Sequence, residues 1–309
     1  MTSTSSMTLS RGRVVARIRI SEGGVVDELR IDGRSALART PWSAVVVPAA
    51  EAATSEADWV ARWRGGWQLC FPSTGQPEDG ATTPQGFHGV ASQAPWTLVE
   101  AVDDRLTLRW EDAVGLQAER IWRLTDDGLE ASTSAVNGGA TSRRIAVAEH
   151  LILGGDVLAP LSAGATLALG VPTGSALAPL DDAGRPTGPP VPGPGDRATR
   201  WETVERTTPA RVATLVGRDE DAEGPHRVTA HGPHVHASVA WWGLPHALLW
   251  EELGTSPQSP WNRSVFALGI EPTSTPHGAG TGVGHGIVTL EPGARMRWRT
   301  VLSVRWAAA

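Results

Sequence analysis

A glutamate that closes an apolar run is the first residue here whose type and position could do chemistry. Glu271 follows three apolar residues and a glycine in ALGIEPTS (267–274), and Pro272 directly after it predicts an extended backbone at Glu271 and then a turn. A carboxyl group that is partly buried at the mouth of a strand has a raised pKa and can exchange a proton near neutral pH. Glu271 is therefore a candidate general base.

Two histidines are further candidates. His88 lies in the glycine-containing segment GFHGVASQAPW (86–96), where an irregular backbone favours presentation of the ring. His150 follows Glu149 and opens the apolar run HLILGG. Neighbouring residues of a regular strand face opposite sides, so only one of these two can face a pocket. We predict that it is His150, because a neutral imidazole is easier to bury than a carboxylate. A structural role in the core is the alternative for both histidines.

Arg64 is the fourth candidate. It precedes Gly65 and Gly66 in WRGGWQLCFPSTG (63–75), and paired glycines let the backbone approach a neighbour or a ligand closely. The planar guanidinium can grip sugar hydroxyls or a carboxylate. A surface arginine beside a turn is the alternative.

Other chemistry has less support in the sequence. His231, His234 and His236 lie close together in HGPHVHASVA, and the last two would share a strand face, as zinc-binding pairs do. No carboxylate or cysteine nearby completes the set, so we predict no metal, and a metal-dependent enzyme is a weaker alternative. Nucleotide-binding glycine motifs and the GxSxG motif of serine hydrolases do not occur, and we predict no cofactor.

The composition limits the partners. The 309 residues include 27 Lys and Arg and 33 Asp and Glu, a net charge of −6, which predicts neither a nucleic-acid nor a membrane partner. The N-terminus lacks the apolar centre of a signal peptide and no long apolar run follows, so we expect a cytoplasmic protein. Cys70 is the one cysteine, which excludes an internal disulfide. The 14 tryptophans and absent tyrosine are unusual; tryptophan suits both cores and sugar-facing pockets, and we expect most to be packing residues.

These candidates must be positioned by strands. Short segments with alternating polar and apolar residues, among them RVVARIRI (13–20), LTLRWED (106–112) and LEASTSAVN (129–137), recur about every ten residues, which indicates a sandwich or a barrel. Helix-like periodicity is confined to residues 48–60. We predict an all-β fold with a disordered tail over residues 1–9 and a single domain over residues 10–309.

One stretch departs from this pattern. Residues 171–200 contain 12 Gly and Pro, which predicts a long surface loop without regular structure. It is either an inert insertion or a lid over the pocket.

The order of several short motifs resembles the aldose 1-epimerase (galactose mutarotase-like) superfamily over residues 13–305. The motifs are GGWQLCFPSTG (65–75), HGVASQAPW (88–96), WRLTDDGLE (122–130), NGG (137–139), EHLILG (149–154) and LGIEPTS (268–274). Each motif is weak alone, and their order and spacing carry the resemblance.

The resemblance implies a large antiparallel β-sandwich with a sugar site in a groove on one sheet. It implies that Glu271 is the catalytic base and His150 the catalytic acid, and that His88 and Arg64 bind the substrate. The expected activity is interconversion of the α and β anomers of an aldose or aldose phosphate by ring opening. The expected partner is a small sugar or sugar phosphate, and the expected state is a monomer or weak homodimer. A non-catalytic carbohydrate-binding protein on the same fold is the alternative.

The chain also departs from the superfamily. Galactose mutarotases carry an additional sugar-binding aspartate, and Asp196, Asp219 and Asp221 lie only in poorly patterned sequence. The segment before His150 also lacks the aromatic-rich pattern of those enzymes, which leaves the identity of the sugar open. Arg143 and Arg144 are candidates for contact with a phosphate, and solvated surface charge is the alternative.

Overall fold

The computed structural model describes residues 5–45, 51–76, 86–172, 175–181, 187, 191–192, 203–206, 210–216, 225–278 and 286–307. Within these residues, two large antiparallel sheets form a β-sandwich, and a third, small sheet consists of two short strands. The all-β prediction is confirmed.

The first large sheet holds the predicted site. Its spatial order in the described part of the chain is β1-β2-β3-β5-β11-β20-β19-β16-β13-β14, with β4 paired to β3. The strands are β1 (Met7–Arg11), β2 (Val14–Arg19), β3 (Val25–Ile31), β4 (Arg34–Ser35), β5 (Trp67–Cys70), β11 (Ala148–Leu153), β13 (Ala176–Leu180), β14 (Val191–Pro192), β16 (Arg211–Val216), β19 (His246–Leu253) and β20 (Phe266–Thr273).

The second large sheet covers the inner face of the first. Its order is β15-β12-β17-β18-β22-β9-β8-β7-β6, and β10 pairs with β21 in the small sheet. The strands are β6 (Thr97–Val102), β7 (Arg105–Glu111), β8 (Leu116–Leu124), β9 (Gly128–Asn137), β10 (Arg143–Ile145), β12 (Leu167–Gly170), β15 (Thr203–Val204), β17 (His226–His231), β18 (Val235–Trp242), β21 (Val288–Leu290) and β22 (Arg295–Trp306). A short turn at Asp126 and Asp127 joins β8 to β9.

The core lies between the two sheets. Strand β8 alternates fully buried residues with less buried ones along LQAERIWRL, the period of two that places every second side chain inside. Trp67, Trp122 and Trp241 are fully buried there. Each large ring removes much apolar area from water, so these tryptophans are packing residues, as expected.

A second, smaller cluster covers the outer face of the first sheet. Helix α1 (Glu56–Arg62), capped by the Ser55 side chain, supplies Trp59 and Val60 to it. Ile152 and Ala267, from β11 and β20, form its floor. The helix begins inside the segment predicted for one, residues 48–60, and ends two residues beyond it. No helix in the described part of the chain is long and apolar enough to cross a membrane.

Three details differ from the predictions. Met7–Arg11 form strand β1, paired with β2, so the segment predicted to be a disordered tail is ordered from Met7 onward. Ala176–Leu180 form β13 because the run ALAPL pairs with β16, although residues 171–200 were predicted to lack regular structure. Much of that stretch, and with it the lid hypothesis, lies outside the described residues.

The third detail concerns Pro272. Strand β20 continues through Pro272 to Thr273, where a turn was predicted. The proline lacks an N–H, and near a strand end the loss of one ladder bond is tolerated.

Candidate active site

The register of β11 against β20 brings two of the predicted residues together. Ala148 pairs with Thr273 and Ile152 with Gly269, and this constant antiparallel register places His150 opposite Glu271. Opposite residues share a face of the sheet, and their Cβ atoms lie about 4.5–5.5 Å apart. Residues about 120 positions apart in sequence are thus cross-strand neighbours.

Strand β5 adds a residue that the sequence did not identify. Gln68 pairs with His150 on the other side of β11, so Gln68, His150 and Glu271 form a row across three strands on one face. Gln68 is 5% exposed, and its Nε2 is buried without a hydrogen-bond partner in the described part of the protein. A polar residue in an otherwise apolar strand, WQLC, is the signal that could have identified it.

The Glu271 carboxyl group is buried without a charge partner. It is 7% exposed, and no described residue donates a hydrogen bond to it. Burial raises its pKa from 4.5 to about 8, because the charged form loses hydration without compensation. Gly269 makes room for this side chain, since a Cβ there would lie 2.3 Å from Oε1 of Glu271.

His150 lies beside Glu271 under two indole rings. Its ring centroid is 5.4 Å from that of Trp59 and 5.6 Å from that of Trp63. Burial lowers its pKa well below the usual 6.5, and the nearby His88 lowers it further. Its Nδ1 is buried and has no hydrogen-bond partner among the described residues. The ring is therefore neutral at neutral pH and able to accept a proton.

His88 completes the cluster and carries backbone strain. Its φ is 57°, a left-handed conformation that is uncommon for a residue other than glycine. Nδ1 donates a 2.7 Å hydrogen bond to the carbonyl oxygen of Thr74, which leaves Nε2 of the neutral ring as an acceptor. Burial lowers its pKa to about 4, against the opposing effect of that bond. Its ring centroid is 5.4 Å from that of His150. Strain of this kind is concentrated at functional sites.

Six aromatic residues form a connected cluster at the histidines, of which Trp59, Trp63 and Phe87 contact the imidazole rings, and the sequence interpretation assigned none of them to the site. Trp59 lies 4.5 Å from His88 between ring centroids, and Trp63 lies 5.8 Å from Trp250. We call the set the aromatic wall: Trp42, Trp59, Trp63, Phe87, Trp250 and Trp261. The tryptophan-rich composition was the available signal.

Arg64 is held by protein groups. Its Nε donates to Glu22 at 2.5 Å, and its Nη1 donates to the Ser43 carbonyl oxygen. The following Gly65 and Gly66 have φ of 85° and 89°, and a Cβ at either would collide with the backbone of Ala38 or Val26. The predicted close backbone approach is confirmed, whereas substrate binding by Arg64 stays a prediction.

Glu149 faces the opposite side of β11 from His150, inside the sandwich. It accepts hydrogen bonds from both terminal nitrogens of Arg120, at 2.8 and 2.6 Å, and from the indoles of Trp67 and Trp298, each at 2.7 Å. We call these four residues the cross-sheet clasp, since β5 and β11 belong to one sheet and β8 and β22 to the other. The clasp fixes the strand segments that carry His150 and Gln68.

The remaining polar candidates lie elsewhere. His231 and His236 face each other across a hairpin with their Nδ1 atoms 3.4 Å apart, and the described residues contain no group of three potential metal ligands. Arg143 forms an ion pair with Asp112 at 2.9 Å. Asp196, Asp219 and Asp221 lie outside the described residues.

The row of side chains offers one exchangeable proton in a nearly dry environment. A buried glutamic acid with a pKa of about 8 stands beside a neutral, buried imidazole that contacts the indole rings of Trp59 and Trp63. Such a pair can donate and accept a proton at two neighbouring oxygen atoms of one ligand.

Comparison with solved structures agrees with this fold. The chain resembles the Slr1438 protein of Synechocystis sp. PCC 6803 with 17% identity and a TM-score of 0.70, covering 97% of this chain and 95% of that one. It resembles a galactose mutarotase-like protein of Lactobacillus casei with 15% identity and a TM-score of 0.68, covering 97% and 100%. A protein of Escherichia coli K12, provisionally named an aldose 1-epimerase, gives 15% identity, a TM-score of 0.69 and coverage of 97% and 99%.

No protein-family model and no curated protein sequence matches the chain. The structural matches span nearly the whole of both partners, and at this level of identity they establish the fold. The chain has the galactose mutarotase-like β-sandwich fold that the motifs predicted.

Proposed function

We propose that this protein is an aldose 1-epimerase that interconverts the α and β anomers of an aldose or aldose phosphate. The observation that carries the proposal is the register of β11 against β20, which places His150 opposite Glu271 on one face of adjacent strands. Names given to proteins of the same fold support it. The aromatic wall supports a sugar ligand, since the C–H faces of a pyranose stack on indoles.

The reaction needs one proton acceptor and one proton donor. Glu271 takes the proton from the C1 hydroxyl while His150 gives a proton to the ring oxygen, the C1–O5 bond breaks and an aldehyde forms. Rotation about C1–C2 presents the other face of the carbonyl. The ring then closes as both proton transfers run in reverse, so no atom and no electron is lost.

The two residues share a single proton in this scheme. Before substrate binds, the proton in this scheme lies on Glu271, because burial raises the pKa of this carboxyl group and lowers that of the imidazole. Sugar hydroxyls that donate to the carboxylate stabilise its charged form, and that charge favours a protonated His150 beside it. Substrate binding thus moves the shared proton from Glu271 to His150, which sets up the base and the acid.

His88 and Arg64 hold the substrate in this proposal. Nε2 of the neutral His88 accepts a hydrogen bond from a sugar hydroxyl, because its Nδ1–H is already bound to Thr74. Arg64 orders the neighbouring loop through Glu22 and contributes donors at the edge of the site.

The test is acceleration of anomer exchange, followed by polarimetry and saturation-transfer NMR on a panel of free and phosphorylated aldoses. Glu271→Gln is expected to lower kcat/KM by about 10²- to 10⁴-fold, the usual contribution of acid–base catalysis. Glu111→Gln, an exposed residue of β7, is the matched control and should leave the rate unchanged. Wild-type protein that accelerates none of these sugars would contradict the proposal.

The aromatic wall also favours a second candidate, a sugar-binding protein without catalysis. Stacking on Trp59 and Trp63 requires no proton transfer. This candidate predicts that sugars perturb the tryptophan fluorescence of wild-type protein while anomer exchange stays at the uncatalysed rate.

A further inference from the structure

Gln68 has no role in the proton transfers, yet it lies in the same row as the two residues that do. It pairs directly with His150, on the side of β11 away from Glu271. The three side chains therefore point to one face at about 4.8 Å intervals, the spacing between strands. The backbone of Gln68 is fixed because Trp67, its neighbour, donates to Glu149 in the cross-sheet clasp.

The amide nitrogen at the end of the Gln68 side chain has no hydrogen-bond acceptor in the described part of the protein. The residue is 95% buried, being 5% exposed, and its Nε2 has no partner among the described residues. A buried donor without an acceptor is costly, and such groups in native proteins call for an explanation. A ligand oxygen in the site would supply the acceptor.

The order of the row indicates which oxygen that is. In an aldopyranose, O1 and O5 are both attached to C1, and the next ring atom beyond O5 is C5 with its exocyclic substituent. With Glu271 at O1 and His150 at O5, the next position across the sheet belongs to Gln68 and lies beside C5.

We propose that Gln68 donates a hydrogen bond to the oxygen at C6 and makes the site selective for aldohexoses over aldopentoses. This inference rests on the proposed function, because the aldose orientation follows from the roles of Glu271 and His150. The class of substrate is thus a pyranose with an oxygen-bearing carbon on C5.

The test compares D-glucose with D-xylose, which has the same configuration at C2, C3 and C4 but lacks C6. Gln68→Leu is expected to lower kcat/KM for glucose about 10-fold, the effect of losing one hydrogen bond to a buried donor, and to change that for xylose by less than about 2-fold. An equal fall for both sugars, or no fall for glucose, would overturn the assignment.

A second measurement needs no variant, so it tests the proposal even if the Gln68→Leu protein misfolds. With wild-type protein, 6-deoxy-D-glucose lacks only O6, and kcat/KM should be about 10-fold lower than for glucose. Equal values for the two sugars would overturn the role of Gln68. If wild-type protein accelerates no sugar, the proposed function fails, and NMR titration still decides about Gln68: binding of glucose about 10-fold tighter than of 6-deoxyglucose supports it and equal binding overturns it.

Discussion

Two buried glutamates on the same sheet have opposite hydrogen-bonding surroundings. Glu149 lies inside the sandwich, 0% exposed, and accepts four hydrogen bonds from Arg120, Trp67 and Trp298. Glu271 lies on the outer face, 7% exposed, and no described residue donates a hydrogen bond to it. The two glutamates lie on adjacent strands, β11 and β20. His150 follows Glu149 in the sequence and lies opposite Glu271 across these strands.

The difference separates a structural carboxylate from a reactive one. Four donors satisfy the Glu149 carboxylate, and its ion pair with Arg120 ties the two sheets together. Glu271 has no such compensation, and its raised pKa makes it available for proton transfer near neutral pH. The sandwich interior therefore holds the strands in place, and its outer face holds the residues that we propose for the chemistry.

The largest expected effect is on stability and comes from Glu149→Ala. Removing one partner leaves Arg120 buried and unpaired, which costs about 3–5 kcal/mol of unfolding free energy. Urea denaturation followed by tryptophan fluorescence measures this. Glu271→Gln is the matched comparison and should not lower the unfolding free energy at neutral pH. Equal losses in the two variants would remove the distinction between the glutamates.

The pH dependence of stability should carry the signature of Glu271. The folded-state pKa of about 8 lies above the unfolded value of 4.5, so the protonated carboxyl stabilises the fold fully below pH 4.5, and this stabilisation is lost as the pH rises to about 8. Wild-type protein should lose a few kcal/mol of unfolding free energy between about pH 4.5 and pH 8, and Glu271→Gln should lose less. Parallel curves would show that Glu271 does not titrate in this way.

His88 should make the unfolding free energy increase with pH in the acid range, the opposite of the dependence expected from Glu271. Its folded-state pKa of about 4 lies below the unfolded value of 6.5, so the neutral ring stabilises the fold fully above pH 6.5, and this contribution is lost as the pH falls to about 4. His88→Asn should flatten this acid limb in urea titrations, whereas His234→Asn, an exposed residue, should leave it unchanged.

The same His88→Asn variant has a smaller predicted effect on the folded protein at neutral pH. Asparagine tolerates a left-handed backbone, and its amide can donate to the Thr74 carbonyl, so unfolding free energy should change by less than about 1 kcal/mol. Loss of the Nε2 acceptor should lower kcat/KM about 10- to 100-fold. A change in stability without a change in rate would assign His88 a structural role.

The sequence predicted more of the fold than of the site. Alternation within strands correctly separated Glu149 from His150, because the period of two is a local property of the backbone. The reason given for choosing His150, that an imidazole is easier to bury than a carboxylate, was wrong. The Glu149 carboxylate is the residue that is buried inside the sandwich. Its donors come from Arg120 and Trp298 on other strands, and no local pattern reveals such pairing.

Long-range packing explains what else was missed. The aromatic wall gathers Trp42, Trp59 and Trp63 with Trp250 and Trp261, which are about 200 residues away along the chain. The position of Gln68 beside His150 is evident only from the register of β5 against β11. Glu271, His150 and His88 were proposed from their residue types and local sequence, and their proposed roles came from short motifs whose order resembles a known superfamily.

The sharing of one proton by His150 and Glu271 is tested most directly by a double-mutant cycle on anomer exchange. kcat/KM is measured by saturation-transfer NMR for wild type, His150→Gln, Glu271→Gln and the double variant. If the two residues act as a unit, the double variant should be no slower than the slower of the two single variants. Either substitution alone already removes the proton exchange between His150 and Glu271. Rate losses that multiply in the double variant would show that the two residues work independently and would contradict the shared proton.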